Sequence, residues 1–578
     1  MLGNATRSRF VRAITLGVAV SVGAALPLGG CALGGGEDMA SGPPAYGAMG
    51  SGQMFEDMGP YKRSVTTSNE NAQAFFDQGI NWLWAFNHDE AVLAFRRATE
   101  YDPGCAMAWW GISYAQGPNY NDPMMPPSRS AVAWEALQRA MDEIDDESQL
   151  ERDLIAALAA RYAEDPPEDR AELNAAFADR MGELYRKYPD DSDIGAMAAE
   201  AMMVRYPWQL YSSSGEPARE QTYQIVAALE HVLERDPYHP GANHLYIHAL
   251  EPSNDKARAL PAADRLCDLV PSSGHMQHMP SHIYVQTGRW HDSIEQNAKA
   301  MKADDEYRVK SPDQGIQHGY MAHNAHMLAF SAMMVGQEEQ ALAAAQDMWD
   351  QFPPEMLEPF ADFVGVSMCG KYDVLKRFGR WDELIAEPAP PEYLGITRAM
   401  WRAHRAVAFA AKKDFEAAKR EQMRFRELMQ SVPNPQAPGT WFADTTKLLL
   451  VSDYFVAAEI ALQQDDLESA ANMLEQAALI EDAIGYGEPP VWLQPVRHTL
   501  GAVYVKAGRW DDAERVYRDD LKKWPNNGWS LLGMSQALAG KGDEAGAARA
   551  HAAFEKVWEG SPVEIPSSCM CIELVDAD

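Results

Sequence analysis

The chain has 578 residues, 46% hydrophobic and 10% aromatic, which is ample material for a core and excludes both disorder throughout and a collagen-like fibre. Against 50 Lys and Arg stand 84 Asp and Glu, a net charge of −34 that repels phosphate backbones and sets nucleic-acid partners aside. Six cysteines in this length make no disulfide framework.

Residues 1–30 carry Arg7, Arg9 and Arg12, no acidic residue, and an apolar run from Ile14 to Leu28 that is too short for a comfortable bilayer span. Basic start, apolar middle and small residues at the end are the layout of a secretory signal. Leu28-Gly29-Gly30-Cys31 resembles a bacterial lipobox, in which the cysteine is diacylated and becomes the new N-terminus. Cys31 is therefore the expected lipidation site and the expected tie to the membrane. Ala32, not Asp, follows it, which by resemblance implies outer-membrane sorting. The expected location is the cell envelope, on the periplasmic or surface side. Residues 31–70 are rich in Gly, Ser, Pro and Met and read as a flexible tether.

From residue 71 the periodicity is helical. Phe75, Gly79, Trp82, Ala91, Phe95, Ala98 and Pro103 have the spacing of tetratricopeptide (TPR) positions 4, 8, 11, 20, 24, 27 and 32. Small residues at 8 and 20 let two helices approach, large ones at 4, 11 and 24 fill the gap, and the proline ends the second helix. The loop Gly117 to Pro127 is turn-rich, and 128–205 is helical with poor repeat register. Pro237 and Pro271 lie one period of 34 residues apart. Weaker registers follow at 326–353, near Ala417 and near Ala470. Good ones return at Leu500, Gly501, Tyr504, Ala513, Tyr517 and Pro525, and at Trp529, Leu532, Gly533, Ala545 and Ala552. Prolines at 353–354, 388–391 and 433–438 mark loops or changes of path. The expectation is an all-α, TPR-like helical-hairpin solenoid, with an N-terminal array over 71–355, a C-terminal array over 356–560 and a tail over 561–578.

Nine of the 15 histidines fall between His244 and His326. With Pro237 and Pro271 as position 32, His244 and His248 take positions 5 and 9 of one repeat, and His278 and His282 the same positions of the next. His275 is then position 2, Glu251 position 12, and in the third repeat His323 and His326 take positions 2 and 5. These positions form one stripe along the first helix of each repeat, on the side that faces the concave groove. Neighbouring helix axes are ~8–10 Å apart, so side chains from two helices can share an ion. Seven imidazoles and Glu251 exceed one tetrahedral shell and suffice for two ions. Three imidazoles per ion suit a coupled copper pair, and imidazoles with Glu251 as ligand or general base suit zinc with a bound water. The second reading is a non-catalytic scaffold whose groove takes a partner protein or peptide. His231, His239 and His291 lie off the stripe and are expected at the surface. His318 lies just before the third helix, from where it could bend inward, and His498 is an ordinary residue at position 5 of a distant repeat. Met276, Met279 and Met327 point between helices and are expected in the core.

Cys569-Met570-Cys571 would present both thiols on one side if extended, which suits a soft metal or a disulfide; the plain reading is a disordered tail. Cys105, Cys267 and Cys369 read as buried packing residues. The chain has no Gly-rich phosphate loop, no Gly-x-Ser-x-Gly and no His-Glu-x-x-His, and whether it is an enzyme stays open.

The blocks WWGISYAQGPNYN (109–121), HLYIHALE (244–251), HMPSHIYVQTGRW (278–290), HNAHM (323–327), YGEPPVWLQPVR (486–497) and YRDDLKKWPNNGWSLLG (517–533) resemble a widespread bacterial TPR lipoprotein family with His-rich motifs. The resemblance implies the solenoid fold. It places the family's histidines on His244, His248, His278, His282, His323 and His326, with Glu251 where an acidic residue is usual. It transfers no reaction.

Overall fold

A computed structural model describes residues 45–144, 147–311, 313–352, 354–358, 361–432 and 444–573. The signal, Cys31 and the first part of the expected tether lie outside the described residues. Among those described the fold is all-α, a superhelix of antiparallel helical hairpins with one isolated β-bridge, Tyr211 to Pro217. The hairpins that frame the site are Glu70–Trp84 with His88–Tyr101, Pro240–Leu250 with Leu260–Leu266, and Gln317–Met334 with Glu338–Asp350. A helix Gly274–His278, continued as Ser281–Thr287, pairs with Trp290–Lys310.

Two devices recur. Phe95 is wedged between glycines of consecutive hairpins: a Cβ on Gly79 or Gly111 would lie 2.6 or 2.7 Å from its ring. Tyr517 repeats the arrangement between Gly501 and Gly533, at 2.3 and 2.1 Å. The tight hairpin turns also share a left-handed residue, seen at Phe86, Gly288, Gly336, Gly379, Lys413, Asp465, Gly508 and Gly542. One such residue lets the chain leave the first helix and start the second at once.

The superhelix closes on itself. Trp529 Nε1 donates to the Met333 carbonyl (2.8 Å), Trp290 Nε1 to Pro525 (2.8 Å) and Ser561 Oγ to Gly336 (2.8 Å). The last two hairpins thus rest on the middle of the chain.

Three expectations change. Residues 45–69, read as tether, pack against the body. Tyr46, Phe55 and Met58 are buried, Glu90 accepts the backbone N–H groups of Ser51 (2.6 Å) and Gly52 (3.1 Å), and Arg63 pairs with Asp191 (3.1 Å) and Asp193 (2.6 Å). The glycines that made this stretch look flexible serve close approach: a Cβ on Gly59, at φ +79°, would overlap the Leu269 carbonyl. The tail is also ordered through residue 573. Ser568 Oγ donates to the His498 carbonyl (2.6 Å), and Cys569 and Cys571 form a disulfide. Finally, the His278/His282 helix is interrupted, because Pro280 has no N–H to continue the ladder.

Candidate metal centre

The histidine stripe lies in the interior, not in an open groove. His244, His248 and His278 are fully buried, His275 and His282 nearly so, and His323 half-buried. They gather into two trios. His244, His248 and His275 bring one nitrogen each within 4.8 Å of the others, and His278, His282 and His323 do the same.

Four of the six rings are oriented by a partner at Nδ1. His244 Nδ1–H donates to the carbonyl of Trp84 (2.6 Å), the last residue of its helix, where carbonyls lack helical partners. His248 and His282 both donate from Nδ1 to Glu251, one to each oxygen, at 2.9 and 2.5 Å. His278 Nδ1–H donates to Asn297 Oδ1 (2.6 Å), and the Asn297 amide is held by the Ser293 carbonyl (2.8 Å). With Nδ1 carrying the proton, Nε2 carries a lone pair. His278 Nε2 and His282 Nε2 then face each other at 2.7 Å, with His323 Nε2 3.3 Å from the latter. His244 Nε2 lies 3.2 Å from His275 Nε2. His248 Nε2 and His275 Nδ1 are buried with no hydrogen-bond partner.

A second proton is disfavoured on most of these rings. Burial, reinforced by neighbouring imidazoles, holds His244, His275, His278 and His323 well below the ordinary histidine range, and burial also lowers His248. Burial alone would raise Glu251, but His282 and His248 outweigh it and keep the carboxylate ionised. Two rings tied by Nδ1 to one carboxylate project their Nε2 atoms away from it, here with the ring planes nearly perpendicular. The trios are accordingly neighbours: the His248 and His282 rings are 6.1 Å apart and those of His275 and His278 6.2 Å.

The two ends of the site differ. The first trio is walled by aromatic rings: Phe86 4.5 Å from His244, Tyr320 4.3 Å from His275, and Tyr120 and Trp208 each 5.6 Å from His248. Phe86 and Trp208 both hold positive φ, 55° and 58°, which is unusual for bulky residues. The second trio is bordered by a loop of the C-terminal array. There Glu488 Oε2 lies 3.2 Å from His282 Nδ1, with its side chain 2% exposed, and Tyr486 stands 40% exposed at the rim. Burial and the Glu251 charge keep Glu488 well above the ordinary carboxyl range.

Six of the seven expected ligands thus come together. His326 does not: three residues beyond His323, it turns toward the next helix and lies against Gly370, where a Cβ would meet its ring at 3.5 Å. Glu251, expected as general base or ligand, has both oxygens engaged by histidine N–H groups and so orients two rings. Of the histidines expected at the surface, His231 and His291 are exposed, but His239 is buried: its Nδ1 accepts the Ala242 N–H (3.0 Å) and its Nε2–H donates to Asp193 (3.0 Å). His318 is half-buried outside both trios, and His498 is buried against Asp520. The three methionines and the three single cysteines are buried, as expected. Sequence reasoning missed Phe86, Tyr120, Trp208, Tyr320, Asn297, Tyr486 and Glu488 as parts of the site. Of these, Tyr120, Tyr486 and Glu488 sit in blocks singled out beforehand, and nothing in helical spacing brings residue 488 to residue 282.

Residues 498–528 match the tetratricopeptide repeat family. No curated protein matches the chain in sequence. Among solved structures, the human IFIT1 dimer with PPP-AAAA is 12% identical over 83% of this chain and 95% of that one, with a TM-score of 0.33. Yeast Tom70 is 11% identical over 82% and 90%, at 0.25, and the APC/C hetero-tetramer Cut9–Hcn1 is 13% identical over 86% and 79%, at 0.30. Likeness at these scores carries no functional argument. The described residues form a TPR-like superhelix of helical hairpins, one repeat of which matches the family.

Proposed function

We propose that this scaffold holds two transition-metal ions, one in each histidine trio, and is carried on the cell envelope by a lipid on Cys31. One observation bears most of the weight: with their Nδ1 protons held by Asn297 and Glu251, the Nε2 lone pairs of His278 and His282 face each other at 2.7 Å, in a place where burial disfavours a second proton on His278. A cation between them turns that repulsion into bonding. Neutral imidazoles oriented from behind by a carboxylate, a carbonyl and an amide are the usual support of a metal-bound histidine. All-imidazole sets suit copper or zinc, and among the described residues neither trio includes a carboxylate, which favours copper.

Elemental analysis of untagged full-length protein tests this, with two copper or zinc ions per chain expected. His278→Ala with His282→Ala removes one trio and brings the content to one ion or fewer, while His231→Ala leaves it at two. Protein that holds no transition metal and gains no thermal stability from added copper or zinc sinks the reading. The scaffold would then serve a partner protein, on a face other than this one, since aromatic rings and the 486–488 loop cover the stripe. For the anchor, Cys31→Ser moves the protein from the membrane fraction to the soluble one. A wild type already soluble after export would refute the anchor.

A further inference from the structure

The surroundings of the trios say what such a metal pair would meet, and the argument rests on the metal-pair reading above. A hydrolytic zinc site needs a base free to take a proton from bound water. Glu251 is not free, because both its oxygens accept from histidine Nδ1, and Glu488, the other carboxyl beside the trios, stands at His282 Nδ1, behind that ring and away from its Nε2. What lines the first trio is apolar and aromatic: Phe86, Tyr120, Trp208 and Tyr320. Three imidazole nitrogens suit Cu(I), and they leave each ion a position for an outside ligand. His248 and His282 hang from one carboxylate with rings 6.1 Å apart, so the two ions would be close neighbours. The ligand suited to that space is small, apolar and able to take one electron from each of two ions.

We infer that the paired trios, loaded with copper, bind dioxygen between the two ions. The electrons balance without a further reactant. Each Cu(I) gives one electron and becomes Cu(II), and O2 takes both and is reduced to the peroxide level while its O–O bond persists. No proton moves and no bond to the protein forms. Copper is among the few centres that carry one-electron and O2 chemistry, and here the protein supplies the pairing and the dry walls.

The test uses the full chain, loaded without oxygen with two equivalents of Cu(I) and then exposed to O2. One O2 should be taken up per two coppers, with a new near-ultraviolet charge-transfer band. The oxidised sample should show no copper electron-spin signal, since two Cu(II) spins joined through one ligand pair up. His244→Ala with His275→Ala leaves one complete trio. It should keep one copper and lose O2 uptake at least tenfold, because a lone Cu(I) supplies one electron only. His231→Ala should match the wild type. Circular dichroism checks that the double variant is folded; if it is not, the wild-type arm decides alone. Two coppers bound with no O2 uptake, or oxidation to two separately visible Cu(II) spins, overturns the dioxygen inference and leaves the metal pair standing. Failure to bind copper at all overturns both.

Discussion

At residue 86 a phenylalanine stands where most of the equivalent hairpin turns place glycine. Its φ of 55° costs on the order of 1–2 kcal/mol for a residue with a Cβ. Packing against three imidazoles of the first trio offsets that cost. His239 shows what sequence position concealed. It lies off the stripe and so reads as surface, yet it precedes Pro240 and caps the Pro240–Leu250 helix from a fully buried place. A residue directly before a proline that opens a helix is a cap candidate, and that signal was available. His239→Ala removes the cap and one partner of buried Asp193. It should lower unfolding free energy by about 2 kcal/mol in urea titrations, while His231→Ala stays within about 0.5 kcal/mol.

His88 gives a pH test of the same kind. Its Nδ1–H donates to the Ala115 carbonyl (2.7 Å), and burial pushes it down to about 3 from the ordinary 6.5. Between those values the unfolded chain binds a proton that the folded one refuses. The contribution is therefore whole above pH 6.5 and is lost as pH falls toward 3. Buried Asp304, Glu459 and Glu481, raised to about 7, work in the opposite sense over the range above pH 4. The readout is accordingly a difference between variants. His88→Gln should unfold with a shallower loss of stability between pH 6.5 and 3 than the wild type, and parallel slopes would refute the buried neutral imidazole.

At the scale of the element, the glycine at repeat position 8 is the clearest link from sequence to packing. Gly79 and Gly501 were legible because they pair with Phe95 and Tyr517 sixteen residues on, and each ring slots between two glycines. Gly501→Ala would put a methyl 2.3 Å from the Tyr517 ring and should cost about 1–3 kcal/mol. Gly395→Ala is the control. It begins the Gly395–Ala411 helix, its Cβ would meet nothing within 4 Å, and it should be neutral or stabilising by up to about 1 kcal/mol. Thermal melts of the two variants would invert this order if the slot were not tight. The same register placed His244, His248, His278 and His282 together, because position in a repeat fixes the face of the helix. It failed for His326, whose ring lies against Gly370 and not with the trios.

For the molecule as a whole, the repeat period announced a solenoid but not its closure. A chain of hairpins that touch only their neighbours unfolds in parts. Here contacts between residues far apart in sequence tie the ends of the described fold to its middle, and a 34-residue period holds no record of them. Trp529 is the main tie. Its ring is fully buried, it donates to the Met333 carbonyl, and the Arg377 guanidinium lies 3.3 Å from its centre. The loop with Glu488 reaches the second trio from the same C-terminal array. Metal bound at the trios should therefore stabilise the entire described fold by linkage, about 2.7 kcal/mol when free metal stands a hundredfold above Kd. Calorimetry of the wild type should show one transition that moves up as a unit when metal is added. Trp529→Ala, which costs about 3–5 kcal/mol in packing, should split it into two, and metal should then raise only the transition of the histidine-bearing half. A variant that still melts as one unit, with the metal shift intact, would mean that the other contacts suffice to hold the superhelix shut.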